Sequence, residues 1–266
     1  MSFFPDYPYK EPLIFDSHAH YEDERFDGAR AELLNELPHR GVCAVICCGC
    51  DTASSQKALS LSERYGYIYA AAGIHPENIG GGTIAEIERL AAHKKCVAIG
   101  EIGLDYYWVS DNKEEQLSLF ESQLILANKL RLPVIVHDRE AHADTLALLK
   151  KHKPRGVVHS FSGSAETAAE ILKIGMYIGV GGVITFKNAK KLPDVVKALP
   201  NDRLLLETDA PYLTPVPYRS KTNNSAMIFL TAQKIAEIRN TDTESILRLS
   251  KQNYLTLRYN LNPSYR

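Results

Sequence analysis

No run of the sequence approaches the roughly 20 consecutive apolar residues that span a bilayer. Its opening, MSFFPDYPYKEPLIF, lacks a basic start followed by a long apolar segment. Both absences point to a cytoplasmic protein without membrane attachment. An excess of charge is also missing, since 31 Lys and Arg stand against 32 Asp and Glu, a formal net charge of −1. No general positive field therefore draws the chain to nucleic acid or acidic lipid, and any such contact must be local. Cysteine is scarce and odd in number, with four of five residues crowded into CAVICCGC, Cys43 to Cys50. That argues against a disulfide framework. Cys47 and Cys50 have CxxC spacing, but no second pair completes a zinc site, so buried reduced thiols are expected. Linkers rich in Gly and Ser and low-complexity tracts are absent, and the chain is read as one domain over 1–266.

What is present is a repeat of short apolar runs. LIFDSHAH, VCAVICCG, YIYAAAGIHP, CVAIGEIG, PVIVHDR, GVVHSFSG, MYIGVGG and RLLLETDAP read as strands, nearly all followed by segments of helical periodicity. The clearest helix is NKEEQLSLFESQLILANKL, Asn112 to Leu130. Ser164 and Thr241 stand as small polar residues before apolar-periodic runs and are expected to cap helices. Eight strand-then-helix units in about 250 residues suggest a (β/α)8 TIM barrel. A doubly wound open sheet would require some of the eight strands to be false. The segment APYLTPVPYRSKTNNSA, beginning at Ala210, is too long for a turn and is expected to lie over one barrel face.

Barrel strands are filled mainly by apolar side chains, so ionisable residues at their ends carry information. His18 and His20 close the first run, His75 the third, Glu101 the fourth, His137 the fifth, His159 the sixth and Asp209 the eighth. All fall at C-terminal ends, where barrel enzymes keep their active sites. Side-chain alternation puts His18 and His20 on one side. It likewise groups Val97, Ile99 and Glu101, Ile135 with His137, Val157 with His159, and Leu205, Glu207 and Asp209. The steps from His75 to Glu101, His137 and His159 are 26, 36 and 22 residues, each close to one strand-and-helix unit. Singly, each of these residues reads more readily as a satisfied core histidine or a salt-bridged carboxylate. Jointly, His18, His20, His137 and His159 with Glu101 and Asp209 form a mixed N/O metal set. Six ligands exceed the needs of one ion, and Glu101 has two oxygens with which to bridge a pair.

The motifs FDSHAH, AAGIHP, AIGEIGLDYY, LPVIVHDR, VVHSFSG, GVGGVITFKNAKK and LLLETDAPYLTP, in this order and at this spacing, resemble the TatD family of metal-dependent deoxyribonucleases, within the amidohydrolase superfamily. The resemblance covers nearly the whole chain. It implies that His18, His20 and Asp209 hold one metal and His137 and His159 the other, with Glu101 shared. Relatives in the superfamily that bridge with a carboxylated lysine differ, since the fourth run offers Glu101 and no lysine. One departure stands out: after TPVPYR the family continues with Gly, a basic residue and Asn-Glu-Pro, whereas this chain reads SKTNNSA and places Asn224 and Ser225 at the Glu and Pro positions.

The function expected is hydrolysis of DNA phosphodiester bonds, from strand ends, by a water activated between two divalent ions. Histidine with carboxylate suits Zn, Mn, Fe or Ni, while a pure Mg site would have fewer histidines. Asp209 is the candidate general base, and His75 a contact for the phosphate or the leaving oxygen. Arg139 is expected to tie the barrel rim to a carboxylate rather than to bind phosphate. Gly179 to Gly182, GVGG, mark either a close backbone approach to substrate or a tight turn. The rival activity is ester or amide hydrolysis by the same metals, as in a D-aminoacyl-tRNA deacylase. A non-catalytic barrel binding nucleic acid or protein is the rival of another class, although no ligand is lost. No obligate protein partner is indicated.

Overall fold

The structure is a computed structural model that describes residues 4–259, so the ends of the domain expected over 1–266 lie outside the described residues. Eight parallel strands form one sheet in sequence order: β1 (Ile14–Ala19), β2 (Val42–Cys48), β3 (Ile68–Ala72), β4 (Cys96–Asp105), β5 (Val134–Arg139), β6 (Gly156–Val158), β7 (Tyr177–Val180) and β8 (Leu204–Leu206). Helices α1 (Arg30–Glu36), α2 (Thr52–Arg64), α3 (Ile84–Ala91), α4 (Lys113–Leu130), α5 (His142–His152), α6 (Ala165–Lys173) and α7 (Leu192–Ala198) connect successive strands. Two more, α8 (Ile228–Arg239) and α9 (Thr243–Tyr259), follow β8. This is the TIM barrel, and an open doubly wound sheet is excluded. Among the described residues no helix is long and apolar enough to cross a membrane.

The sheet closes without a β8–β1 ladder. Instead the Asp209 N–H donates to the His18 carbonyl at 2.9 Å and the His20 N–H to the Ala210 carbonyl at 2.7 Å, with a single parallel bridge between Ala19 and Ala210. The Thr208 N–H adds a bond to the Asp16 carboxylate at 3.0 Å. The closing seam is thus built from the residues on which two sequence motifs converge.

Alternation along the strands separates two apolar regions. Phe15, Ile46, Ala71, Ala98, Ile135, Val157, Tyr177 and Leu205 fill the barrel, where Tyr254 and Leu257 of α9 join them and Phe15 stacks on Tyr254 at 3.7 Å. The opposite faces pack against the helices, with Ile14, Val45, Ile99, Val136 and Leu206 meeting Phe120 and Leu124 of α4, Val195 of α7 and others. All five cysteines are free, and Cys47, Cys48 and Cys96 are buried, as expected of reduced thiols.

Two strands depart from simple alternation. In β4, Ala98 faces the barrel interior and Ile99 the helices, so Val97, Ile99 and Glu101 do not share a side as the sequence suggested. Between Ile99 and Ile102 the ladder slips, three residues of β4 passing two of β5, Val134 to Val136. A bulge of this kind resets the side-chain phase and turns Glu101 inward. The same slip occurs in β1, where Asp16 to Ala19 passes Val45 to Cys47, and it brings His18 and His20 to the inner side above Phe15.

Helix ends follow local chemistry. Ser164 Oγ accepts the Thr167 N–H at 3.2 Å and caps α6 as read. For α9 the cap is Asp242, which accepts the Ser245 N–H at 2.8 Å, and not Thr241; a carboxylate at this position also accepts the Ser245 hydroxyl at 2.6 Å. Helix α4 begins one residue after Asn112 and carries two fully buried glutamines seven residues apart, two turns along one face. Gln116 accepts from Asp105 N at 2.9 Å and donates to Asp105 O at 3.0 Å. Gln123 does the same for Ile74, at 2.8 and 2.9 Å. Each glutamine therefore satisfies both backbone groups of a residue at a strand end, one of them next to His75.

Gln123→Leu keeps the volume but leaves the buried Ile74 N–H and C=O unpaired. At about 1–3 kcal/mol per stranded group, unfolding stability should fall by about 2–6 kcal/mol. Urea denaturation should show a lower midpoint at unchanged slope.

Candidate metal centre

The C-terminal mouth of the barrel gathers all six predicted ligands. Glu101 is buried at the end of the β4 bulge, and its two oxygens face different histidines. Oε2 lies 3.3 Å from His18 Nε2 and 3.4 Å from His20 Nε2. Oε1 lies 2.7 Å from His159 Nε2 and 3.0 Å from His137 Nδ1. Asp209 Oδ1 completes the first set at 3.4 Å from His18 Nε2 and 3.5 Å from His20 Nε2, which are 2.9 Å from each other. Asp209 adopts φ 59°, a left-handed conformation that Asp tolerates, so that its backbone can close the seam while its side chain enters the mouth.

These separations fit cation binding. Ligand atoms about 2.0–2.1 Å from an ion stand roughly 3.3 Å apart at tetrahedral angles, and the first donor set spans 2.9–3.5 Å. The second set, Glu101 Oε1, His137 Nδ1 and His159 Nε2, spans 2.7–3.4 Å. Close triads of possible ligand atoms are formed by His18, His20 and Asp209, by His18, Glu101 and His159, by His20, Cys50 and Glu101, and by His75, Glu101 and His137.

Hydrogen bonds outside the cluster fix which nitrogen faces inward. His20 Nδ1 donates to the Cys48 carbonyl at 2.8 Å, with Glu22 Oε1 at 3.2 Å, which leaves the Nε2 lone pair for the site. His137 Nε2 donates to Asp105 Oδ2 at 2.9 Å, which leaves Nδ1. Such carboxylate-histidine pairs orient metal ligands and raise their basicity. His75 is wired the other way, since its Nδ1 accepts the Glu77 N–H at 3.2 Å. Neutral His75 therefore carries its proton on Nε2, 3.5 Å from Glu101 Oε1, and presents a donor instead of a lone pair. Burial lowers its pKa and keeps it neutral.

The electrostatics call for positive charge. Burial alone would raise Glu101, but His159, His18 and the hydrogen bond from His137 hold its carboxyl well below the usual range. Burial is likewise outweighed at Asp209, which His18 and His20 hold down. His137 is pushed up to about 9, because Asp105 and Glu101 overcome the burial that would lower it. A cluster that stabilises anionic carboxylates and cationic imidazoles is one in which a divalent ion replaces protons.

Two contributors, Glu22 and Asp105, escaped the sequence reading, and a third, Glu207, was grouped with Asp209 but given no role. Glu22 sits two residues beyond His20, Asp105 four beyond Glu101 in GEIGLD, and Glu207 two before Asp209. Buried Glu207 accepts the Ser160 N–H and lies 3.7 Å from His159 Nδ1. Their spacing at i+2 from ligands was the available signal for Glu22 and Glu207; Asp105 had none. Two other expectations change. No carboxylate pairs with Arg139 among the described residues, and its guanidinium instead lies 4.8 Å over the Tyr107 ring. Gly179 is required by the Glu207 carboxylate, with which a Cβ would collide, and Gly182, where a Cβ would meet the Leu213 carbonyl, opens a 3-10 turn, so the tight-turn reading of GVGG is the one the backbone shows. In the divergent loop, Ser225 Oγ donates to Asp16 Oδ2 at 2.7 Å and its N–H to Tyr21 Oη at 2.8 Å, bonds that a proline there lacks.

Comparison with known proteins identifies the family and the fold. A family model described as TatD related DNase matches residues 15–258. The metal-dependent hydrolase YabD of Bacillus subtilis is 40% identical over 247 residues, covering 91% of this chain and 97% of YabD. A protein of Erwinia tasmaniensis named 3'-5' ssDNA/RNA exonuclease TatD is 34% identical over 241 residues, 86% of this chain and 93% of its own. Among solved structures, the TatD homologue YjjV of Escherichia coli superposes with a TM-score of 0.84 at 33% identity, over 93% of this chain and 98% of YjjV.

Asp105→Asn retains shape but presents an amide to His137 Nε2. Loss of that partner should weaken divalent-ion binding at the His137 side by about 10–100-fold. Titration of the chelated protein with Mn²⁺ or Zn²⁺ by calorimetry measures it.

Proposed function

This chain belongs to the TatD-related DNase family of metal-dependent hydrolases, and from that premise we propose that it hydrolyses phosphodiester bonds of DNA, acting from strand ends. The observation that carries the reading is the division of Glu101, with Oε2 toward His18 and His20 and Oε1 toward His137 and His159. On this reading His18, His20 and Asp209 hold one divalent ion, His137 and His159 a second, and Glu101 is shared. Two such ions would supply Lewis acidity, lowering the pKa of the attacking water toward neutrality and offsetting charge on a phosphoryl group during in-line displacement.

The chain's own groups then have distinct tasks. Asp209, the most accessible carboxylate of the set with its side chain 19% exposed, receives the proton of the attacking water. His75, neutral with Nε2–H toward the cluster, donates to a phosphate oxygen or to the leaving oxygen. Glu22 and Asp105 hold His20 and His137 in the tautomers that ligate. The nitrogen-rich donor set favours Zn, Mn, Fe or Ni over Mg.

The deciding experiment is a metal-reconstituted assay on end-labelled single- and double-stranded DNA beside aminoacyl esters. Progressive release from one end supports the proposal, whereas ester turnover without phosphodiester cleavage overturns it.

Two substitutions separate the roles. Glu101→Ala should lower bound metal at both positions and His159→Ala at one, so metal analysis of the purified variants should give different stoichiometries. Unchanged content in the Glu101 variant would defeat the two-ion reading. Asp209→Asn keeps one carbonyl oxygen but cannot accept a proton, and DNA turnover should fall by about 10²–10⁴-fold. The metal at His137 and His159 should stay bound, as measured on the same preparation.

A further inference from the structure

Immediately after β4 the chain leaves two aromatic side chains in water. Tyr107 is 55% and Trp108 68% exposed, and their rings meet edge to face with centroids 4.7 Å apart. Two adjoining rings left open to water beside a barrel mouth offer flat aromatic surface that a planar group can cover. The pair is also wired to the metal cluster. Asp105 Oδ1 accepts the N–H groups of Tyr107 and Trp108 at 2.9 and 2.8 Å, while its Oδ2 accepts His137 Nε2–H. One carboxylate thus sets both a candidate metal ligand and the backbone that carries the two rings.

Cations accompany the rings. The Arg139 guanidinium lies over Tyr107, and Lys113 Nζ lies 4.3 Å over the neighbouring Tyr106 ring. Neither has a carboxylate partner among the described residues, although Asp144 accepts the Tyr106 hydroxyl at 2.8 Å. At the other end of the cluster Tyr212, 37% exposed, stands 6.4 Å from the His20 ring with Arg25 4.5 Å over it.

We propose that Tyr107 and Trp108 form a stacking platform for an unpaired base of a single-stranded nucleic acid whose scissile phosphate lies at the metal cluster, with Arg139 beside the backbone. This rests on the phosphodiester reading, takes the single strand from the name of the Erwinia tasmaniensis relative, and adds which side chains would hold a base of it. A base inside a duplex has both faces covered by neighbours, whereas a single strand can offer one face to an aromatic ring. Stacking is indifferent to sequence, and local cations suffice for a chain with almost no net charge.

Trp108 is the sole tryptophan of the chain, so its fluorescence reports the contact directly. The metal-loaded protein is titrated with a cleavage-resistant phosphorothioate oligothymidylate and with an abasic strand of equal length and charge. Quenching is expected with the base-bearing strand and not with the abasic one. Trp108→Ala should weaken binding of the first by roughly 5- to 150-fold and leave the second within about 2-fold, with Trp108→Phe recovering most of the loss. On cleavable single strands the Ala variant should raise KM more than it lowers kcat. Equal quenching by both strands, or an equal loss of affinity on both, overturns the platform. Cleavage by the wild-type chain without quenching overturns this inference alone; absence of both binding and cleavage overturns it together with the phosphodiester reading.

Discussion

The mouth of this barrel is organised around one buried carboxylate. Among the described residues no lysine or arginine pairs with Glu101, and a buried carboxylate without positive charge carries a large desolvation cost. Histidines from three other strand ends answer that need, two toward each oxygen from His18, His20, His137 and His159, while neutral His75 turns its Nε2–H toward Oε1. The arrangement is self-consistent only with cationic partners, either protons on the imidazoles or divalent ions in their place. The acidic residues Glu22, Asp105 and Glu207 behind the histidines increase that demand.

The fold delivers these side chains through irregularities in an otherwise regular barrel. Bulges in β1 and β4 turn His18, His20 and Glu101 toward the interior. The seam between β8 and β1 is closed by backbone bonds of His18, His20, Asp209 and Ala210, so the first donor set and barrel closure are one structural feature. Geometry at that seam is fixed by the same hydrogen bonds that hold the barrel shut, which limits how far the ligands can drift. On the far side of the mouth, Gln116 and Gln123 of α4 pin the backbones of Asp105 and Ile74 and thereby the orientation of the residues beside His137 and His75.

The histidines differ by wiring more than by position. His20 and His137 direct a lone pair inward because their other nitrogen donates to a carbonyl or carboxylate, while His75 directs a hydrogen inward because its other nitrogen accepts. Ligand and donor roles are thus separated by a single outer hydrogen bond. Asp105 extends the same logic outward, coupling His137 to the exposed Tyr107 and Trp108, so that a candidate ligand and the exposed aromatic pair share one carboxylate.

The eight-fold alternation of apolar runs and helical segments determined the barrel, and the register of ionisable residues at strand ends determined which six side chains would meet, because both follow from periodicities that a sequence displays directly. The phase of β4 was not legible. Strict alternation puts Ala98 and Gly100 inside, and only a slip against β5 brings Glu101 there. Asp242 displaced Thr241 as the α9 cap because a carboxylate can accept both the Ser245 N–H and hydroxyl. Arg139 found an aromatic ring and no carboxylate, and Gly179 proved to serve Glu207, a neighbour 28 residues away in the chain. Tautomers, outer carboxylates and the exposed aromatic pair were decided by tertiary structure alone, since each depends on which backbone or side-chain group a distant strand places within hydrogen-bonding distance.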